Sequence, residues 1–96
     1  MSDTHTDEGG IVVYWRPGCT FCMKLRAQLR FARLRHTKVN IWRDPDAAAF
    51  VRSVADGNET VPTVTVAGRP MVNPSLRQLR EAVRVYAPHL QPKRDT

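Results

Sequence analysis

Two cysteines three residues apart, Cys19 and Cys22, stand in the segment Trp15-Arg16-Pro17-Gly18-Cys19-Thr20-Phe21-Cys22. Such a pair can exchange disulfides, form a structural bridge, or supply half of a metal site. The nucleophile in disulfide exchange is the thiolate, so the surroundings of each sulfur decide among these chemistries. An apolar block, Ile11 to Trp15, precedes the pair, a Pro17-Gly18 break follows it, and a helical pattern opens at the cysteines. That order is strand, tight turn, helix start. A thiol at a helix start meets unpaired backbone N–H groups and the positive end of the helix dipole, and both favour its anion. Cys19 therefore reads as the attacking sulfur, and Cys22, one turn in and facing back beneath it, as the resolving one. A structural zinc site wants four ligands, yet there is no second cysteine pair, and His5, His36 and His89 lack ligand spacing. No metal is expected. A bridge closing so short a loop would constrain the unfolded chain little, so redox activity leads over an inert bridge.

The elements that must position these sulfurs follow from periodicity. Residues 11–15 carry no polar alternation, which predicts a strand covered on both faces and central in its sheet. From 20 to 35, Cys22, Leu25, Leu29 and Ala32 recur at helical spacing, and Phe21, Phe31 and Leu34 are expected to widen that apolar face by packing at the core or its rim. Lys38 to Trp42 alternates as a strand with Val39 and Ile41 inward. A strand, a helix and a strand make a right-handed crossover, and so a parallel pair. Asp44-Pro45 caps a second helix that Gly57 ends. Thr60 to Val66 reads as a strand opened by Pro62, turned at Ala67-Gly68-Arg69 into Pro70-Met71-Val72. Asn73-Pro74-Ser75 reads as another cap with a first-turn proline, and Leu76, Leu79, Val83 and Tyr86 as the buried stripe of a third helix stopped by Pro88. The expected order is β-α-β-α-β-β-α around a central four-stranded mixed sheet.

Ninety-six residues suit one domain with its own core. We expect a mobile leader at 1–10, the domain at 11–88 and a polar tail at 89–96. The acidic, polar start does not resemble a secretory signal, no apolar run is long enough to span a membrane, and a lone C-x-x-C is not the disulfide framework of a secreted mini-protein. The cytoplasm is the default compartment. A net charge of +6 raises the question of nucleic acid. Its arginines lie along the first helix (Arg26, Arg30, Arg33, Arg35) and the last (Arg77, Arg80, Arg84), without the interleaved aromatics of a base-stacking platform. Solvated helix faces are the leading reading, ahead of steering toward acidic proteins and of nucleic-acid binding.

The strand order with Cys19-x-x-Cys22 after the first strand resembles the thioredoxin fold in its small glutaredoxin form, over roughly residues 11–87. Thr60-Val61-Pro62 resembles that family's Thr-Val-Pro, whose proline is cis and whose preceding backbone faces the active-site sulfur. Within the glutaredoxins, Gly57-Asn58-Glu59-Thr60-Val61-Pro62-Thr63-Val64 followed by Asn73-Pro74-Ser75 is most similar to the actinobacterial mycoredoxins, which use mycothiol in place of glutathione. The resemblance implies that Cys19 attacks protein–mycothiol mixed disulfides with Cys22 as its optional partner, and that the Thr60-Val61 backbone pairs with the cysteine portion of the thiol. It places Asn73, Pro74 and Ser75 near the sugar portion. It also implies no bound cofactor, mycothiol as cosubstrate, S-thiolated or disulfide-bearing proteins as partners, an NADPH-dependent disulfide reductase upstream, and a monomer.

Trp15, Arg16, Thr20, Phe21 and Lys24 complete the neighbourhood of the sulfurs, Arg16 and Lys24 as cations that could assist Cys19. Where most glutaredoxins read Cys-Pro-Tyr-Cys, Thr20 and Phe21 occupy the middle, and the Thr20 hydroxyl could hydrogen-bond near the sulfurs. Asn73-Pro74 replaces the Gly-Gly-Cys-Asp-Asp-like segment of glutathione-binding members, which points away from glutathione. Two other functions remain open, a thioredoxin-like dithiol donor to protein disulfides and a non-enzymatic redox-sensing binding protein.

Overall fold

A computed structural model describes residues 10–90. Most of the expected leader and tail lie outside them. The elements are β1 (Ile11–Trp15), α1 (Thr20–Phe31), β2 (Thr37–Asn40), α2 (Pro45–Val54), β3 (Thr63–Val66), β4 (Arg69–Val72) and α3 (Leu76–Tyr86), followed by a 3-10 turn (Pro88–Leu90). The sheet runs β2-β1-β3-β4, with β1 parallel to β2 and antiparallel to β3, and β3 antiparallel to β4. This is the mixed sheet of the thioredoxin fold.

The continuous apolar run of β1 is explained by its place, since it has a strand on each side and a core on each face. Ile11 and Val13 join Leu25 and Leu29 of α1 and Leu79 and Val83 of α3 on one face. Val12 and Tyr14 meet Val39, Ile41, Ala47 and Val51 on the other, under α2. Strand alternation thus sorts one pentapeptide between two cores. The hairpin from β3 to β4 turns on Ala67 (φ +50) and Gly68 (φ +82). Positive φ at both central residues is what a type I′ two-residue loop requires.

Several expectations change at element ends. α1 stops at Phe31 rather than at residue 35, because Arg33 takes a left-handed conformation (φ +59), with Leu34 N–H donating to Leu29 O (3.0 Å) and Arg33 N–H to Arg30 O (3.0 Å). This is a Schellman ending with arginine where glycine usually stands. The cap of α3 is Ser75, two residues beyond Asn73, so Pro74 precedes the helix rather than opening it. β2 ends at Asn40, although Ile41 N–H still donates to Trp15 O (2.9 Å). Phe31 is 90% exposed and Tyr86 46% exposed; neither packs into the core. Tyr86 instead lies under Arg69, 4.1 Å from the ring centre. Leu90 packs against the α1/α3 core, in the region expected to be tail.

Candidate active site

Gly18, at φ +80, turns the chain sharply from β1 into α1 and sets Cys19 at the N-cap, with extended backbone (φ −90, ψ 108). The Cys22 N–H donates to Cys19 Sγ at 3.2 Å. Sulfur thus does at this helix start what a serine or aspartate oxygen does at most others. The Cys19 thiol also points at the Val61 carbonyl oxygen, 3.8 Å away. Both cysteines are free and buried. They are not equivalent, since Cys19 keeps 6% exposure while Cys22 has none. The Cys22 thiol is pushed up to about 12, chiefly by burial and then by its hydrogen bond to the Cys19 sulfur, against which a backbone hydrogen bond from Arg16 pulls only partly. At neutral pH Cys22 holds its proton.

A second loop closes on the sulfurs. The Val61–Pro62 bond is cis, and Thr63 Oγ1 donates to Thr60 O at 2.7 Å. Among the described residues the Val61 N–H makes no hydrogen bond. The Asn73 N–H donates to Pro62 O at 2.7 Å, tying this loop to the start of α3. There Ser75 Oγ accepts the Gln78 N–H (3.1 Å) while the Ser75 N–H donates to Gln78 Oε1 (2.8 Å). This reciprocal capping box occupies the serine hydroxyl that sequence placed near a sugar.

Between α1 and the start of α3 lies a groove of about 260 Å³. It gathers Phe21, Lys24, Pro62, Asn73, Pro74 and Ser75, all named from sequence. Gln28 and Gln78 line it too and were not foreseen. Each had a signal, Gln28 lying one turn beyond Lys24 on α1 and Gln78 standing at the capping-box position after Ser75. Trp15 lies outside the groove, half-buried, with the Arg26 guanidinium 4.9 Å over its ring. Arg16 Nη1 donates to Pro17 O at 3.4 Å. Thr20 is exposed, and among the described residues its hydroxyl makes no hydrogen bond, so the expected link to the sulfurs is not made. No cluster of three or more His, Cys, Asp or Glu among the described residues could hold a metal.

A cysteine capping the helix after the first strand, facing a cis-proline loop in this sheet order, is the arrangement of the thioredoxin superfamily. Solved structures of similar fold include a thioredoxin-like protein (TM-score 0.68, 20% identity, covering 78% of this chain and 95% of that one). Another is a buckwheat glutaredoxin in complex with glutathione (TM-score 0.59, 20% identity, covering 83% and 74%). The Glutaredoxin family pattern matches residues 11–71. Two Mycobacterium tuberculosis proteins, from strains CDC 1551 / Oshkosh and ATCC 25618 / H37Rv, have names assigning them to the glutaredoxins. Each is 37% identical over 71 residues, covering 73% of this chain and 84% of theirs. The chain belongs to the glutaredoxin family. It is a thiol–disulfide oxidoreductase that works with a thiol cosubstrate and disulfide-bearing proteins.

Proposed function

We propose that this glutaredoxin reduces mixed disulfides between proteins and mycothiol, with Cys19 as nucleophile. The observation that carries the division of labour is the pair itself, in which Cys19 Sγ receives a helix-start N–H while its neighbour is buried and keeps its proton. The Cys19 thiolate attacks the mycothiol sulfur of the mixed disulfide, the protein thiolate leaves and is protonated, and mycothiol remains on Cys19. A second mycothiol thiolate then attacks the bound mycothiol sulfur, releasing the Cys19 thiolate and mycothiol disulfide. An NADPH-dependent reductase returns the latter to the thiol. Val61, with its N–H unpaired, would pair with the backbone-like portion of the thiol, beside Pro62 and Thr60. Lys24, Gln28 and Asn73 give the groove polar groups suited to sugar hydroxyls, with Phe21, Pro74 and the capped Ser75 as walls. The mycobacterial origin of the relatives supports the same cosubstrate, and we place the protein in the cytoplasm as a monomer.

The test compares turnover of mycothiol- and glutathione-mixed disulfides of one model protein, each with its own recycling system. Fast turnover with mycothiol alone, kept in Cys22→Ser and lost in Cys19→Ser, is expected. Equal turnover with glutathione would remove the mycothiol assignment. The contact between the sulfurs also favours a second reading, a dithiol donor that forms the Cys19–Cys22 disulfide. Loss of all reduction in Cys22→Ser would select it.

A further inference from the structure

Away from the thiol groove, the outer side of α1 and the chain around the start of β2 border two adjoining open depressions, of about 570 and 340 Å³, that share Arg30 and His36. Arg26, Arg30 and Arg33 fall at i, i+4 and i+7, one stripe of the helix and its ending, and Arg35 and Lys38 face them from the segment into β2. Among the described residues no Asp or Glu lines either concavity. The ion pairs Arg52–Glu59 and Arg84–Glu81 lie elsewhere. Arg30, Arg33, Arg35 and Lys38 are exposed. By contrast, Arg84 of the equally basic α3 is paired with Glu81. The Schellman ending fixes Arg33, and the His36 ring donates from Nδ1 to Leu34 O at 2.9 Å, so both sides of the groove are held by the fold.

We propose that this groove binds an acidic segment of the protein substrate during disulfide exchange. Like charges gathered in a concavity lower their mutual repulsion by taking an anionic partner, and such complementarity raises encounter rates and fixes orientation. Three observations favour a polypeptide over a nucleic acid. Met23 and Ala27, both exposed, contribute apolar surface between the cations. Among the described residues no Phe, Tyr or Trp lines the groove, so the large stacking surfaces of a single-strand platform are missing there. Its Met23 end directly follows Cys22 in the chain, so a segment lying along the stripe runs toward the sulfur pair, where a substrate disulfide must arrive. The proposal rests on the family's thiol–disulfide activity and not on which small thiol recycles the enzyme.

The test measures binding of a short fluorescein-labelled glutamate-rich peptide, lacking cysteine, to the full chain by anisotropy at low and at physiological salt. Arg30→Glu/Arg33→Glu is compared with Arg77→Glu/Arg80→Glu, which makes the same change in net charge on α3; the milder Arg30→Gln and Arg33→Gln serve if the reversal impairs folding by circular dichroism. The groove variants should lose about tenfold or more in affinity and the α3 variant about twofold or less. In parallel, the groove variants should raise KM for a glutamate-flanked protein disulfide while leaving turnover of a small-molecule disulfide unchanged. Equal losses from both reversals would reduce the effect to net charge and overturn the site. Tighter binding of a DNA duplex that displaces the peptide would overturn the polypeptide assignment. Peptide binding that appears only in Asp3→Asn/Asp7→Asn/Glu8→Gln would give the groove to the chain's own acidic start.

Discussion

Two helix starts meet at the thiol groove, and they are capped in opposite ways. α3 begins with Ser75 and Gln78 exchanging hydrogen bonds, so the Ser75 and Gln78 N–H groups are both satisfied within the helix start. α1 begins with a sulfur, which accepts the Cys22 N–H at 3.2 Å and keeps a sliver of exposure. A hydroxyl cap stabilises the helix by about 1 kcal/mol; a thiol is the weaker hydrogen-bond acceptor and the stronger nucleophile. On the proposed mechanism the same backbone position serves stability in one helix and reactivity in the other. The capped end of α3 is tied to the cis-proline loop through Asn73 N–H donating to Pro62 O.

The largest test of this contrast exchanges the caps. Cys19→Ser should abolish disulfide reduction, by at least about a thousandfold, while leaving thermal stability equal or slightly higher because serine caps well. Calorimetry and a coupled NADPH assay on the same sample read both. Ser75→Ala should do the reverse, costing about 1 kcal/mol and roughly 4–8 °C in Tm, with turnover within about threefold of the parent. A large loss of activity without loss of stability in Ser75→Ala would show that the second cap is chemical too.

The second contrast lies between the two sulfurs. Burial lifts Cys22 from an ordinary 9.0 to about 12, so the folded protein keeps a proton that the unfolded chain releases from about pH 9 upward. The stabilisation is whole below pH 9 and is lost as pH climbs toward 12. Urea midpoints measured between pH 8 and 11 should therefore fall more steeply in the parent than in Cys22→Ser, whose hydroxyl does not titrate there. Identical slopes would mean that Cys22 is not held protonated by the fold.

The smallest effect separates the two glutamines of the groove. Among the described residues the Gln28 amide makes no hydrogen bond, whereas Gln78 Oε1 is committed to Ser75 N–H. Gln28→Ala should raise KM for the small thiol about fivefold, the worth of one hydrogen bond near 1 kcal/mol, with Tm unchanged. Gln78→Ala should lower Tm with little change in KM. The opposite pattern would mean that the capping box opens for the ligand.

Much of the fold was legible because its signals are local. The unalternating run at Ile11 to Trp15 demanded two covered faces, and Asp44-Pro45 marked a helix start that the Ala47 N–H to Asp44 Oδ1 bond of 3.1 Å matches. The failures have a common physical origin. Arg33 ends α1 in a conformation usually given to glycine, so nothing in its type announced a stop. Asn73-Pro74-Ser75 offers two capping residues, and only the pairing of Ser75 with Gln78 decides between them. Phe31 and Tyr86 fit an apolar stripe by spacing, yet both are exposed, Tyr86 with Arg69 over its ring. In the candidate site, sequence named the residues from α1, the proline loop and the α3 start that share the groove. Gln28 and Gln78 were missed because a polar residue on a helix flank becomes a wall only when another helix stands opposite.

The proposed division of labour has Cys19 as the reacting sulfur and Cys22 withheld by its burial. Brief iodoacetamide treatment of the reduced protein at pH 7, followed by peptide mass mapping, tests it directly. Alkylation at Cys19 should run at least about a hundredfold faster than at Cys22. Equal labelling, or Cys22 first, would contradict it.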